Sequence, residues 1–117
     1  MGKLTTHVLD TALGKPGRNL SIELFRMESG ERVFLSVSTT NDDGRVQPAL
    51  LEGEALSIGT YELDFHAGDY LQQHHTNLPQ PLFLDIITIR FSIANTAQHY
   101  HVPLLLSPFA YSTYRGS

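Results

Sequence analysis

The chain has 117 residues, 41% of them hydrophobic and 17% charged, a composition typical of one globular domain over residues 1–117 rather than of a disordered chain. Eight Lys and Arg against twelve Asp and Glu give a formal net charge of −4, so we expect no nucleic-acid partner. Cysteine is absent, which excludes disulfide scaffolds, thiolate metal sites and cysteine nucleophiles.

The first half of the chain consists of short segments in which apolar and polar residues alternate. Side chains of a strand point to opposite faces in turn, so alternation predicts half-buried strands at residues 4–10, 20–25 and 33–37. Residues 41–44, Asn-Asp-Asp-Gly, have the chemistry of a turn, and Arg45 follows that turn directly.

The second half continues the pattern with one interruption. Residues 68–77 form the one predicted helix, which is short and depends on packing for its stability. The predicted strands are residues 59–65, 82–93, 99–106 and 109–115. About eight strands without a regular alternation of strand and helix predict an all-β, antiparallel sandwich or barrel.

Several ionisable residues occupy positions where a simple sandwich would place Val or Thr. His99 and His101 lie two residues apart and so share one face of a strand, and His7 lies on another strand. Three His residues are a legitimate zinc ligand set, which keeps a metal-dependent hydrolase as an alternative. We favour acid–base chemistry without metal or cofactor, because a neutral imidazole is nearly matched to physiological pH. His66, His74 and His75 are expected at the surface.

The C-terminus is unusual for a chain end. Residues 111–117 carry two Tyr hydroxyls and the guanidinium of Arg115, where most domains end in disposable polar residues. From composition alone, a plain edge strand explains this segment as well as a functional tail does.

Four segments together resemble the transthyretin-like 5-hydroxyisourate hydrolase family. Residues 7–10 read His-Val-Leu-Asp, 44–45 read Gly-Arg, 99–105 read His-Tyr-His-Val-Pro-Leu-Leu and 114–117 read Tyr-Arg-Gly-Ser. The resemblance covers nearly the whole chain. It implies a prealbumin-like sandwich of two four-stranded sheets with one short helix, assembled into a homotetramer with active sites at the dimer–dimer interface.

The resemblance also implies a reaction and a set of residues. The reaction is hydrolysis of 5-hydroxyisourate in urate degradation, with His7, Arg45 and His101 as catalytic residues and no metal or cofactor. His7 and Arg45, with Tyr114 and Ser117 of the tail, are expected to bind substrate. His99 and Arg115 are expected to contact the catalytic and substrate-binding residues without touching the substrate themselves. Spacing leaves open whether His7 or His101 is the general base.

The alternative function is a non-catalytic carrier of a small aromatic ligand, as transthyretin is. Imidazoles and a guanidinium weigh against a channel for an apolar ligand, because their desolvation must be offset. The apolar runs are too short to span a bilayer, so we expect no membrane partner. We expect a cytoplasmic location, with a peroxisomal or periplasmic one as the alternatives.

Overall fold

A computed structural model of the chain describes residues 1–116. Within this range the chain forms nine strands, one α-helix and one turn of 3₁₀-helix at Gly53–Ala55. The elements are, in order, β1 (Lys3–Asp10), β2 (Lys15–Pro16), β3 (Ser21–Glu28), β4 (Glu31–Thr39), β5 (Leu51–Glu52), β6 (Gly59–His66), α1 (Ala67–His74), β7 (Ile86–Ile93), β8 (His99–Ser107) and β9 (Ala110–Ser112).

The strands form two sheets, which confirms the predicted all-β sandwich. The first sheet has the order β2-β1-β8-β9, and the short β5 adds to β1 as a fifth strand. The second sheet has the order β4-β3-β6-β7. The expectation of antiparallel pairing is wrong for the central pair, since β1 and β8 run parallel. The chain between β1 and β8 forms the strands of the second sheet. No tight hairpin therefore joins β1 to β8, and nothing forces the two strands into opposite directions.

The core lies between the two sheets and is built from alternate residues of each strand. On β1 and β8 the buried apolar residues are Leu4, Val8, Tyr100, Val102, Leu104 and Leu106. They pack against buried residues of the second sheet, including Leu24, Leu63 and Phe65. Each fully buried Leu contributes about 1.5–3 kcal/mol of transfer free energy. The same alternation places Thr5 and His7 of β1 and His99 and His101 of β8 on the outer face of the first sheet.

The observed ends of the helix and of two predicted strand regions, residues 82–93 and 109–115, differ from the predicted ends. The helix ends at His74, because His75 is already extended. Residues 82–85 lie outside β7, although Leu82 and Leu84 pack against the core. The final strand is limited to β9, with a separate bridge from Gly116 to His101.

The helix is held to the first sheet through a buried carboxylate. Asp10, fully buried at the end of β1, accepts hydrogen bonds from the Tyr70 hydroxyl and from Nε2 of His75, each at 2.8 Å. Burial alone would raise the pKa of Asp10, but hydrogen bonds from the Leu13 backbone and from His75 and Tyr70 lower it. The expectation that His75 lies at the surface is therefore wrong. His74 is also partly buried, with its ring stacked on Tyr70 at 4.4 Å.

Candidate active site

A tight turn brings Arg45 beside His7. His7 lies on the outer face of β1, and its backbone pairs with that of Arg45 in an isolated antiparallel bridge. The Val8 N–H donates to the Gly44 carbonyl at 2.8 Å. Gly44 has φ of 75°, and a Cβ there would collide with the carbonyl oxygen of Val8. Glycine is therefore required for the chain to approach β1 this closely and to present Arg45 there.

The side chain of Asn41 fixes the turn from within. Its Oδ1 accepts the backbone N–H groups of Asp43 at 2.9 Å and of Arg45 at 3.0 Å. The Asn41 N–H in turn donates to the Arg45 carbonyl at 2.8 Å. The predicted turn is confirmed, and its hydrogen bonds hold the backbone from which the guanidinium extends.

Thr5 connects the two His residues of β8. Its Oγ1 lies 2.7 Å from Nε2 of His99 and 2.8 Å from Nδ1 of His101. The parallel register pairs Thr5 directly with His101. Sequence reasoning missed Thr5 because alternation shows which face a residue occupies and not which partner lies opposite.

These residues border a cavity on the outer face of the first sheet. Its volume is about 620 Å³, within the range of small-molecule sites. It is lined by Lys3, Thr5, Thr6, Arg45, Val46, Gln47, Pro48, Ala49, Glu52, His99 and His101. The His7 ring lies next to this group, with its centroid 6.4 Å from that of His101.

The electrostatics of the site keep both principal imidazoles neutral. Burial and the nearby charge of Arg45 lower the pKa of His7, although a backbone hydrogen bond and the charge at Asp43 oppose this. Burial lowers the pKa of His101 too, and Arg45, His7 and His99 add to the effect. At neutral pH both rings are therefore available as proton acceptors, beside a permanent cation.

The tail runs back along β8. The Gly116 N–H donates to the His101 carbonyl at 2.7 Å, and Arg115 donates to the His99 carbonyl at 3.3 Å. Tyr114 lines a different cleft of about 260 Å³, next to β7, and is 59% exposed. The structure thus brings His7, Arg45, His99 and His101 together and leaves Tyr114 apart from them. Ser117 lies outside the described residues.

The metal alternative receives no support from the geometry. Among residues 1–116 no group of three or more His, Asp or Glu side chains is arranged to hold a metal ion. The His99 and His101 rings lie 6.2 Å apart and share Thr5 as a hydrogen-bond partner.

The part of the chain that the structure describes contains no helix with the length and apolar character needed to cross a membrane.

Comparison with known proteins gives one consistent family. The family model described as "HIUase/Transthyretin family" matches residues 4–116. A protein named 5-hydroxyisourate hydrolase from Ralstonia nicotianae is 56% identical over 117 residues, covering 100% of both chains.

Two solved structures are also similar. The structure of Klebsiella pneumoniae 5-hydroxyisourate hydrolase has a TM-score of 0.81 and 31% identity, and the match covers 100% of both chains. The crystal structure of (S)-allantoin synthase has a TM-score of 0.94 and 44% identity. That match covers 99% of this chain but 44% of the synthase, so the chain spans less than half of that protein.

Proposed function

The chain belongs to the HIUase/transthyretin family, and from this membership we propose that it hydrolyses 5-hydroxyisourate to 2-oxo-4-hydroxy-4-carboxy-5-ureidoimidazoline in urate degradation. It is an enzyme of the 5-hydroxyisourate hydrolase type, as the 56% identity to a full-length relative of that name supports. The observation that carries the assignment of the site is the meeting of His7, Arg45 and His101 on one outer sheet face.

Arg45 binds the substrate in this proposal. The substrate is a small, planar, nitrogen-rich ring with several carbonyl oxygens, and the planar guanidinium can donate two parallel hydrogen bonds to neighbouring acceptors. Its permanent charge also stabilises the negative charge that develops on the attacked carbonyl oxygen. Arg45 is itself exposed at the cavity, so it can reach a ligand there.

His101 is the general base. It takes a proton from a water molecule as the water oxygen attacks the ring carbonyl between the nitrogen and the hydroxylated carbon. The carbon–nitrogen bond of this cyclic amide then breaks, and the proton passes to the departing nitrogen. The products of this step are an opened six-membered ring and a carboxylic acid, which loses its proton to solvent and becomes the carboxylate. One positioned base of this kind supplies about 10²- to 10⁴-fold, or about 3–5 kcal/mol.

His7 lies beside this reaction as a second neutral imidazole. The 6.4 Å between the His7 and His101 centroids allows one ring to carry a proton while the other stays neutral. We assign His7 to hydrogen bonding with the substrate. His101 takes the base role because its Nδ1 is held by Thr5, which orients the ring.

Self-association completes the site in this proposal. A single chain leaves the cavity open on the outer face of the first sheet, and its own Tyr114 lies in a different cleft. We infer a homotetramer in which these faces of two dimers meet, so any contact of Tyr114 with substrate comes from a neighbouring subunit. Size-exclusion chromatography with light scattering should give four chains per particle. A monomer with full turnover would contradict a shared site.

The direct test separates hydrolase from carrier. Freshly generated 5-hydroxyisourate is followed by its ultraviolet absorbance with and without the protein, in water enriched in oxygen-18. A hydrolase accelerates the decay catalytically and places one oxygen-18 in the product carboxylate. A carrier leaves the decay rate unchanged or slows it, and releases the ligand intact.

A further inference from the structure

The hydroxyl of Thr5 lies between two imidazoles and has one hydrogen to share. It is within hydrogen-bond distance of His99 Nε2 and of His101 Nδ1. A hydroxyl can donate one hydrogen bond and accept two, so it can donate to either ring and accept from the other, or accept from both. Three arrangements satisfy both contacts: the one in which Thr5 donates to His101 places the proton of the neutral His101 ring on Nε2, and the other two place it on Nδ1.

We propose that Thr5 is a positioning residue whose hydroxyl accepts the Nδ1–H of His101 and donates to Nε2 of His99, thereby fixing the tautomer in which His101 can act as a base. This inference rests on the proposed function. In this arrangement the proton of neutral His101 sits on Nδ1, and Nε2 keeps its lone pair for the water proton. His99 correspondingly carries its proton on Nδ1.

The reverse arrangement would prevent the reaction. If Thr5 donated to Nδ1, the proton of neutral His101 would sit on Nε2, and neither ring nitrogen could accept a proton from water. If His101 were nevertheless protonated at Nδ1, its new Nδ1–H would point at the hydroxyl hydrogen of Thr5, and the hydrogen bond between them would be lost. In the proposed arrangement, protonation of Nε2 leaves the Nδ1–H bond to Thr5 in place and makes it charge-assisted. The hydroxyl does not need to reorient during the step.

Charged and titratable groups surround His101 on several sides. Arg45 faces His101 from the loop after β4, and His7 faces it from β1. Lys3 and Glu52 line the same cavity, and Arg115 contacts the backbone of His99 from the tail. The nearby positive charge of Arg45 disfavours protonation of His101, so the ring enters the reaction neutral and its tautomer decides which nitrogen accepts the proton.

The wild-type protein alone provides the first test. Nitrogen-15 chemical shifts and long-range proton–nitrogen correlations of the His side chains identify the protonated nitrogen of each neutral ring. At a pH where His101 is neutral, we expect its proton on Nδ1 and that of His99 also on Nδ1. A proton on Nε2 of His101 would overturn the inference, whether or not the protein hydrolyses 5-hydroxyisourate.

Two variants of Thr5 and one control provide the second test. Thr5→Val keeps the branched shape and removes the hydroxyl, and we expect kcat to fall about 10-fold or more with KM changed less than about threefold. Thr5→Ser restores the hydroxyl and should recover most of kcat. Thr11→Val removes another hydroxyl bond between the end of β1 and β8, at Leu106, and should leave kcat and both tautomers unchanged.

The outcomes separate this inference from the proposed function. A wild-type protein without hydrolase activity would refute the function, while the tautomers of the resting protein would still be measurable. A wild-type protein that is active, together with a Thr5→Val variant of unchanged kcat and unchanged His101 tautomer, would refute the role of Thr5 alone.

Discussion

Gly116 lies directly against the imidazole of His101. Its N–H donates to the His101 carbonyl at 2.7 Å, and a Cβ at residue 116 would lie 2.9 Å from the ring Cδ2. A methyl group there would push the ring or the tail away, because real Cβ atoms do not approach other atoms so closely. The tail thus limits where the His101 ring can lie, with no side chain of its own at this position.

Gly116→Ala should therefore lower kcat about 10-fold with little loss of thermal stability, because a misplaced general base loses much of its effect. Gly14→Ala is the matched control. Gly14 has φ of 68° and open space among the described residues, so alanine there should cost about 1 kcal/mol of stability and leave kcat unchanged. Wild-type kcat in Gly116→Ala would show that the tail does not position His101.

Removing the charge of Arg45 should move the pH dependence of the reaction. Arg45 contributes to the lowered pKa of both His7 and His101, so Arg45→Gln should raise the pKa of each imidazole. The base form of His101 would then appear at higher pH, and the acidic limb of kcat/KM against pH should shift upward. An unshifted limb would show that Arg45 does not act on these rings.

Arg45→Lys separates charge from shape. Lysine keeps the positive charge, so the acidic limb should stay close to that of the wild type. It lacks the planar fork, so kcat/KM should still fall about 10-fold or more. Wild-type kcat/KM in this variant would argue against paired hydrogen bonds from Arg45 to the substrate.

Asn41 should matter for substrate binding through the turn that carries Arg45. Asn41→Ala removes the acceptor for two backbone N–H groups, at Asp43 and Arg45. We expect a loss of about 1 kcal/mol of stability and a KM raised several-fold. Asn95→Ala is the control, because Asn95 accepts the Ala97 N–H at 2.9 Å in a turn of the same kind outside the site. Equal KM values in both variants would contradict a positioning effect.

The buried Asp10 should make stability depend on pH in the acid range. Its pKa is lowered in the folded protein, so the ionised form stabilises the fold above the unfolded pKa of about 3.9. That stabilisation is lost as the pH falls through the folded pKa. Asp10→Asn should lower the free energy of unfolding by about 2–3 kcal/mol at neutral pH. Between about pH 5 and about pH 3, the urea midpoint of this variant should change less than that of the wild type. Parallel curves for the two proteins would contradict this role.

Much of the fold follows from the two-residue period of the strands. Alternation predicts the outward side chains of β1 and β8, including His7 and His101, and the turn chemistry predicts the position of Arg45; the structure agrees with both. The family expected from four short motifs is confirmed over residues 4–116. These features depend on residues that are close together in the sequence, so they can be predicted from one sequence alone.

Features that depend on pairing between distant strands could not be predicted in this way. The parallel register of β1 and β8 brings Thr5 opposite His101, and alternation contains no information about register. The burial of His75 depends on the position of Asp10, which is 65 residues away. The placement of Tyr114 beside β7 likewise depends on the path of the tail and not on its composition.

Hydrolysis at His101 is tested by the rate of 5-hydroxyisourate decay with wild-type protein and with His101→Asn, at equal concentrations of folded protein. Asparagine keeps a polar side chain and cannot accept the proton from water. We predict rapid catalytic decay with the wild type and a rate at least about 10²-fold lower with His101→Asn. A wild-type rate equal to the uncatalysed decay, or a His101→Asn rate within a few-fold of the wild type, would contradict hydrolysis at this site.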